Sequence, residues 1–404
     1  MKDKYLILLI DGMADYPLPE LGEKTPLEKA ATPVLDKITP FSEMGIVKTV
    51  PDEFPPGSDV ANMSVLGYNP AQYYTGRSPF EALSIGVDLE EEDIIFRCNL
   101  VTLSGEKNFK KRIMKDYSAG EIPTEEAAEI IKKCQGKLGN ENLRFYPGVS
   151  YRHVLVWKDG ENEMSLTPPH DILDKKIADY LPAGKGSEII FNMMKKSATF
   201  LPEHTINLKR EIKDLFPANS IWLWGKGTKP KLPNFHEKFG LKGSVISAVD
   251  LIKGLGIASG LKPEFVEGAT GRIDTNFQGK VEKAIKNLNS DDDFVYLHFE
   301  AADEASHQGS LENKIKSIEK IDNLVLKRIL EEMGTDDNLN IMVLPDHYTP
   351  LTKRTHVSDP VPFMIYRQNK NNKNEYQKFT EKNAEKTGLY FEKGYRLIDY
   401  FLEK

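Results

Sequence analysis

Cysteine is almost missing: Cys98 and Cys134 are the two in 404 residues, too few for a disulfide framework and without the spacing of a zinc knuckle. A reducing cytoplasm is the setting that suits such a chain. Long apolar runs are missing too. No stretch approaches the ~20 apolar residues a membrane span needs, and the opening run at 5–10 is too short for a signal-peptide core with its cleavage site. The chain is therefore expected neither to be secreted nor to span a membrane. A basic excess is lacking as well. The formal net charge of −7 leaves no field to hold a nucleic acid or an anionic membrane, so neither is expected as a partner. Internal repeats are not visible, and no Gly-x4-Gly-Lys-Ser/Thr loop is present to cradle nucleotide phosphates.

What the chain has is enough apolar side chain, 40% of residues, to bury a sizeable core in two or three domains. The run at 5–10 is continuously apolar, as expected for a strand buried on both faces of a largely parallel sheet. Similar runs recur at 294–299 and 340–344, and each of the three stops at or just before acidic residues and histidines. Ligands of open α/β sheets collect beyond the carboxyl ends of the strands. Strands ending near Asp11, Asp303 and Asp346 therefore predict one site assembled from both ends of the chain.

Between these runs the apolar residues follow helical spacing, most extensively over 313–333, where Ile315, Ile318, Ile321, Leu324, Leu326, Ile329 and Leu330 predict a core-facing helix. The middle of the chain reads as α+β instead. Strands are expected at 94–103, 143–145 and 151–157, and a helix at 124–138 opening on the cap-like Thr124-Glu-Glu. We expect a main domain at 1–89 and 191–404, interrupted by a smaller inserted domain at 90–190. The Lys/Asn-rich segment 368–378 reads as a surface loop.

Two constellations carry chemistry. The first is Asp303-Glu-Ala-Ser-His307, Asp346-His347 and His356, whose carboxylates and imidazoles are the donors that Zn, Mn and related divalent ions accept. Taken singly, each His reads as an ordinary core or surface residue and each Asp as a helix cap. Three such clusters in order predict a metal site. The second is Pro55-Pro-Gly-Ser58-Asp-Val-Ala-Asn62, a rigid turn leading into a helix. A Ser there is usually an N-cap. Beside a metal ion its hydroxyl becomes a nucleophile, and the helix end favours a phosphate.

Together with these, Ile10-Asp-Gly-Met-Ala-Asp15, Leu66-Gly-Tyr-Asn-Pro70, Tyr73-Tyr-Thr-Gly-Arg-Ser-Pro-Phe-Glu-Ala82, Pro345-Asp-His347 and Thr355-His356 resemble the ordered motifs of archaeal-type cofactor-independent phosphoglycerate mutases of the alkaline phosphatase superfamily. The resemblance covers nearly the whole chain. It implies an α/β fold, an alkaline-phosphatase-like core with a largely parallel sheet flanked by helices, and an inserted domain that closes over a small phosphorylated metabolite. It implies two divalent ions, Mn or Zn or Mg in its place. Asp11, Ser58, Asp346 and His347 would hold one, and Asp303, His307 and His356 the other. Ser58 would take the phosphoryl group and return it to another hydroxyl of the substrate, interconverting 3- and 2-phosphoglycerate.

Substrate contacts are expected from Asn62, from Arg152 and His170 in the insertion and from Lys226 in Gly225-Lys-Gly227, since these offer donors to a carboxylate or phosphate. The family usually shows a His four residues after its serine, where Asn62 stands here. That substitution and the segment 166–172 resemble a bacterial branch proposed to act as homoserine kinase, which would use ATP as donor. A plain phosphatase would keep the same machinery and release inorganic phosphate. A non-catalytic binding protein would have little reason to retain so costly a cluster of charged groups.

Overall fold

The computed structural model describes residues 3–334, 338–370 and 373–403. Its chain divides into two compact units, one of residues 1–74 and 231–404 and one of residues 75–230.

The first unit is built on an eight-stranded sheet. Its order is Lys262–Glu264, Gly243–Ile246, Phe294–Phe299, Lys4–Ile10, Leu339–Leu344, Val361–Arg367, Ser42–Val47 and Tyr390–Phe391. Only Val361–Arg367 runs against the rest. The three apolar runs picked out in the sequence are thus its three adjacent central strands, parallel and in register, with Leu8 opposite Leu297 and Val343. Leu6, Leu8 and Ile10 pack with the helices Phe277–Leu288 and Leu311–Lys320, while Ile7 and Leu9 on the opposite face are equally buried. A strand without alternation is what burial on both faces requires. The strands being parallel, residues 11, 299–303 and 345–347 emerge at one edge.

The long helix expected at 313–333 is interrupted. It runs as α-helix over Leu311–Lys320, widens into a π-helical turn over Ile321–Leu326 and resumes over Lys327–Met333. The wider turn rephases the apolar stripe, so Val325 and Leu326 are buried whereas Leu324, expected in the stripe, is exposed. Of the surface loop expected at 368–378, residues 371 and 372 lie outside the described residues.

The second unit is an antiparallel sheet centred on Ile94–Leu103, which pairs with Arg152–Trp157 on one side and Ser220–Thr228 on the other, with Leu143–Tyr146 and Met114–Asp116 completing it. Helices Thr124–Leu138 and Ser187–Phe200 share a core with one face of this sheet. The unit is wider than the expected 90–190 at both ends. Ser220–Thr228 supplies a strand to Ile94–Leu103, and helix Ser78–Ser84 places Ala82 against Ile95, Val154 and Val156. Thr124 is not a cap: Pro123 holds that place, and the Thr124 hydroxyl accepts the Ser150 N–H instead.

Candidate metal centre and nucleophile

The turn after strand Lys4–Ile10 brings Asp11 under the helix Ala301–His307, which carries Asp303 and His307 one helical turn apart on one face. Glycine at 12 is needed for that approach. Its φ is +65°, and a Cβ there would lie 2.5 Å from the Asp303 Cα. Asp346 and His347 follow strand Leu339–Leu344 directly, and His356 returns on the next loop.

These side chains meet. The Asp303 carboxylate lies 3.2 Å from His307 Nε2 and 3.4 Å from His356 Nε2, and the two ring nitrogens are 2.9 Å apart. His356 stacks on His347 with ring centroids 3.9 Å apart. His347 Nε2 in turn is 3.3 Å from Asp346 Oδ2, 3.8 Å from Asp11 Oδ1 and 3.2 Å from the Ser58 hydroxyl. Donor atoms of Asp303, His347 and His356 fall within 4.8 Å of one another, as do those of Asp11, Asp346 and His347. Each of the seven residues expected to ligate a metal therefore touches at least one other, and His347 belongs to both groups.

Ser58 opens the helix Ser58–Val65 as its first residue, and Gly57 occupies the cap. Its hydroxyl is thus not consumed in capping and instead faces His347.

The electrostatics are those of a site short of positive charge. Burial, followed by the neighbouring Asp346, Asp303 and Glu300, holds the Asp11 carboxyl well above its usual range. Burial acts the same way on Asp303, but hydrogen bonds from His307 and His356 outweigh it and leave its pKa well below normal. His307 answers with a pKa of about 9, where the Asp303 carboxylate overcomes the cost of burial. Asp11 Oδ1 is buried with no hydrogen-bond partner. Buried carboxylates and imidazoles converging around an orphaned oxygen fit a divalent cation, and no apolar ligand would satisfy them.

Several members were not foreseen. His298, within strand Phe294–Phe299, is wholly buried, its Nε2 3.2 Å from Asp11 Oδ2 and its Nδ1 3.1 Å from the Ser247 hydroxyl. Burial, then the Lys280 charge, holds its pKa near 3, so the ring is neutral. The Ser247 oxygen also accepts the Val249 N–H, so the hydroxyl is held in place between the backbone and the ring. Thr349 donates to Asp303 at 2.6 Å, and Glu300 adds a carboxylate near Asp11 and Asp303. A histidine inside an otherwise apolar strand was the available signal for the first; Thr349 and Glu300 had none.

The expected substrate contacts divide differently. Asn62 is fully buried and wholly engaged, donating at 2.8 Å to both Asp346 Oδ2 and the Ser58 carbonyl and accepting from the Tyr296 hydroxyl at 2.5 Å. It supports the metal centre and presents nothing to a substrate. Lys226 is likewise occupied by the side chain and carbonyl of Asn162. Arg152 and His170 do share a surface within the second unit. Arg152 lies over the Tyr151 ring at 5.2 Å, Tyr151 packs on Tyr117, and His170 packs on Tyr117 and Trp224. Under Trp224, at 4.3 Å, sits Arg97, buried and ion-paired to Glu81 at 3.0 Å, and Glu81 also binds Arg77 at 2.9 Å. An arginine in the middle of the apolar strand Ile94–Leu103 was the sequence signal for this cationic cluster.

Comparison with known proteins places the chain. A family model described as 2,3-bisphosphoglycerate-independent phosphoglycerate mutase matches residues 41–207. A protein of that name from Methanosarcina barkeri is 48% identical over 98% of this chain and 98% of its own length. The chain belongs to this family. Among solved structures, a protein from Pyrococcus horikoshii is 31% identical with a TM-score of 0.83, covering 100% of this chain and 97% of its own. The cofactor-independent phosphoglycerate mutase of Thermoplasma acidophilum is 26% identical with a TM-score of 0.66, covering 100% and 99%. Membership of the phosphoglycerate mutase family implies divalent metal use, and the donors described above suit it. None of the described helices is long and apolar enough to cross a membrane.

Proposed function

We propose that the protein interconverts 3-phosphoglycerate and 2-phosphoglycerate through a phosphoserine at Ser58, in the cytoplasm and with two Mn ions, for which Zn or Mg can substitute. The observation that carries this reading is the Ser58 hydroxyl, free of capping and 3.2 Å from His347 Nε2, the residue shared by the donor group of Asp11, Asp346 and His347 and that of Asp303, His347 and His356. Asp11, Ser58, Asp346 and His347 would hold one ion and Asp303, His307 and His356 the other. Bound there, the ions would lower the serine pKa and neutralise the charge on the transferring group.

Ser58 Oγ attacks the phosphorus and the bond to the 3-oxygen of the substrate breaks, the serine proton passing to that oxygen. The 2-hydroxyl of the same glycerate then attacks the phosphoserine, returning a proton to Ser58 as the new phosphate ester forms. The N-terminal end of helix Ser58–Val65, which Ser58 opens, would favour the negative charge of the phosphoryl group in both steps. Within the second unit, Arg152 and His170 share a surface and offer donors suited to a carboxylate or phosphate. Between the two steps water must be kept from Ser58, or the enzyme becomes a phosphatase.

Two assays on the same Mn-loaded protein test this: isomerisation of 3-phosphoglycerate without added bisphosphoglycerate, and ATP-dependent phosphorylation of homoserine. Isomerisation is expected. Kinase activity alone, or inorganic phosphate as the main product, would reassign the reaction while leaving Ser58 its role. Ser58→Ala is expected to abolish transfer while leaving metal content largely intact, since three other donors of that ion remain, and normal turnover by that variant would refute the phosphoserine.

A further inference from the structure

We infer that Tyr296, acting through Asn62, is the positioning residue that holds the Asp346 carboxylate and the Ser58 turn in register for metal binding. The inference rests on the metal-centre reading above but not on which reaction is catalysed.

Tyr296 and His298 are two apart on strand Phe294–Phe299 and therefore point to the same face of the sheet. His298 bonds the Asp11 carboxylate directly. Tyr296 reaches the Asp346 carboxylate through one intermediary, since its hydroxyl donates to Asn62 Oδ1, and Asn62 Nδ2 donates to Asp346 Oδ2 and to the Ser58 carbonyl. One strand face thus anchors both Asp11 and Asp346.

The direction of these bonds matters. The two orientations of an asparagine amide are chemically opposite. Turned over, Asn62 would set its oxygen against a carboxylate and a carbonyl. The two acceptors fix the amide with its Nδ2 donors toward Asp346 and Ser58, and the Tyr296 phenol satisfies the remaining oxygen, Oδ1, which would otherwise be buried without a partner. Asp346 Oδ1 is held in the same way by the His347 N–H at 3.0 Å. Its carboxylate is then pinned at both oxygens, and the remaining lone pairs keep one direction for an incoming ion. Tyr296 and Asn62 are both fully buried, so solvent cannot replace a lost partner.

The test is Mn affinity of the metal-stripped protein, measured by calorimetry without substrate, for Tyr296→Phe, with Asn62→Leu as a second variant and Tyr68→Phe as control. Tyr68 is an equally buried tyrosine of the same unit whose hydroxyl donates to the Pro233 carbonyl at 2.9 Å, away from the metal donors. Loss of an outer-shell partner is expected to weaken Mn binding roughly 10- to 100-fold in both Tyr296→Phe and Asn62→Leu. The control is expected to lose thermal stability but keep wild-type affinity. In the isomerisation assay, kcat should fall in Tyr296→Phe with KM nearly unchanged. Wild-type affinity in Tyr296→Phe and Asn62→Leu, or a loss no larger than that of the control, overturns the inference. So does failure of Tyr296→Phe to fold, which would assign the hydroxyl to the fold alone. Weakened Mn binding in a protein that fails to isomerise phosphoglycerate would leave this inference standing and remove only the proposed reaction.

Discussion

At the scale of single residues, burial decides what a titratable side chain can do, and His153 shows the consequence away from the metal centre. Its Nδ1 accepts the Gly148 N–H at 3.0 Å, while Nε2 is buried without a hydrogen-bond partner. Burial, and then the charge of Arg152, bring its pKa down to about 3. An unfolded histidine titrates near 6.5. Between those values the unfolded chain carries a proton that the native ring refuses, so stability rises with pH across this window and falls on acidification. The slope is about 1.4 kcal/mol per pH unit once the unfolded ring is fully protonated. Urea unfolding at pH 6, 5 and 4 is expected to show this loss in the native protein and a shallower one in His153→Gln. Identical slopes would mean that His153 takes up its proton without unfolding.

At the scale of elements, helix Leu311–Lys320 does more than cover the sheet. Lys314 is completely buried and reaches Asp15 Oδ2 at 2.6 Å, the Thr349 carbonyl at 3.0 Å and the Ala14 carbonyl at 3.3 Å. It fastens the loop after strand Lys4–Ile10 to the loop after Leu339–Leu344, and both loops carry metal donors. Lys314→Met would strand the Asp15 carboxylate, also fully buried, at a cost of about 3–5 kcal/mol. The double change Lys314→Met with Asp15→Asn should be milder than Lys314→Met alone. Thermal melts of the three proteins check this, and equal melting temperatures would show the pair to be dispensable. The apolar periodicity that identifies this helix is blind to Lys314, because a buried lysine satisfied by three oxygens follows no stripe. It is equally blind to the π-helical turn that follows.

For the whole molecule, an ion that binds the native metal centre and not the unfolded chain must raise stability. The increment is about 2.7 kcal/mol at a free concentration a hundred times Kd. Chelation is therefore expected to lower the melting temperature and Mn to restore it. A melting temperature indifferent to both would argue that the donors of the first unit bind no ion. The lower pKa of Asp303 and the raised pKa of Asp11 show how unevenly the charge is spread before a cation arrives. An ion accepting both carboxylates relieves their mutual repulsion, which links occupancy to the stability of the central strands that present them.

Three buried strands and the Asp and His residues at their ends were readable in the sequence, because continuous apolar runs and metal-donor chemistry are properties of neighbouring residues. So were the helix start at Ser58 and the α+β character of the middle. The limits of the second unit were not, since Ser220–Thr228 belongs to it only by pairing with a strand more than a hundred residues earlier. The work of Asn62 was misread for the same reason. An asparagine near a serine suggests a substrate contact until Tyr296 and Asp346, 234 and 284 residues away, are seen to occupy it. Local pattern determines which elements form and which donors they carry. Only tertiary packing decides which polar groups are left facing a ligand, because burial and hydrogen-bond satisfaction depend on partners distant in the chain.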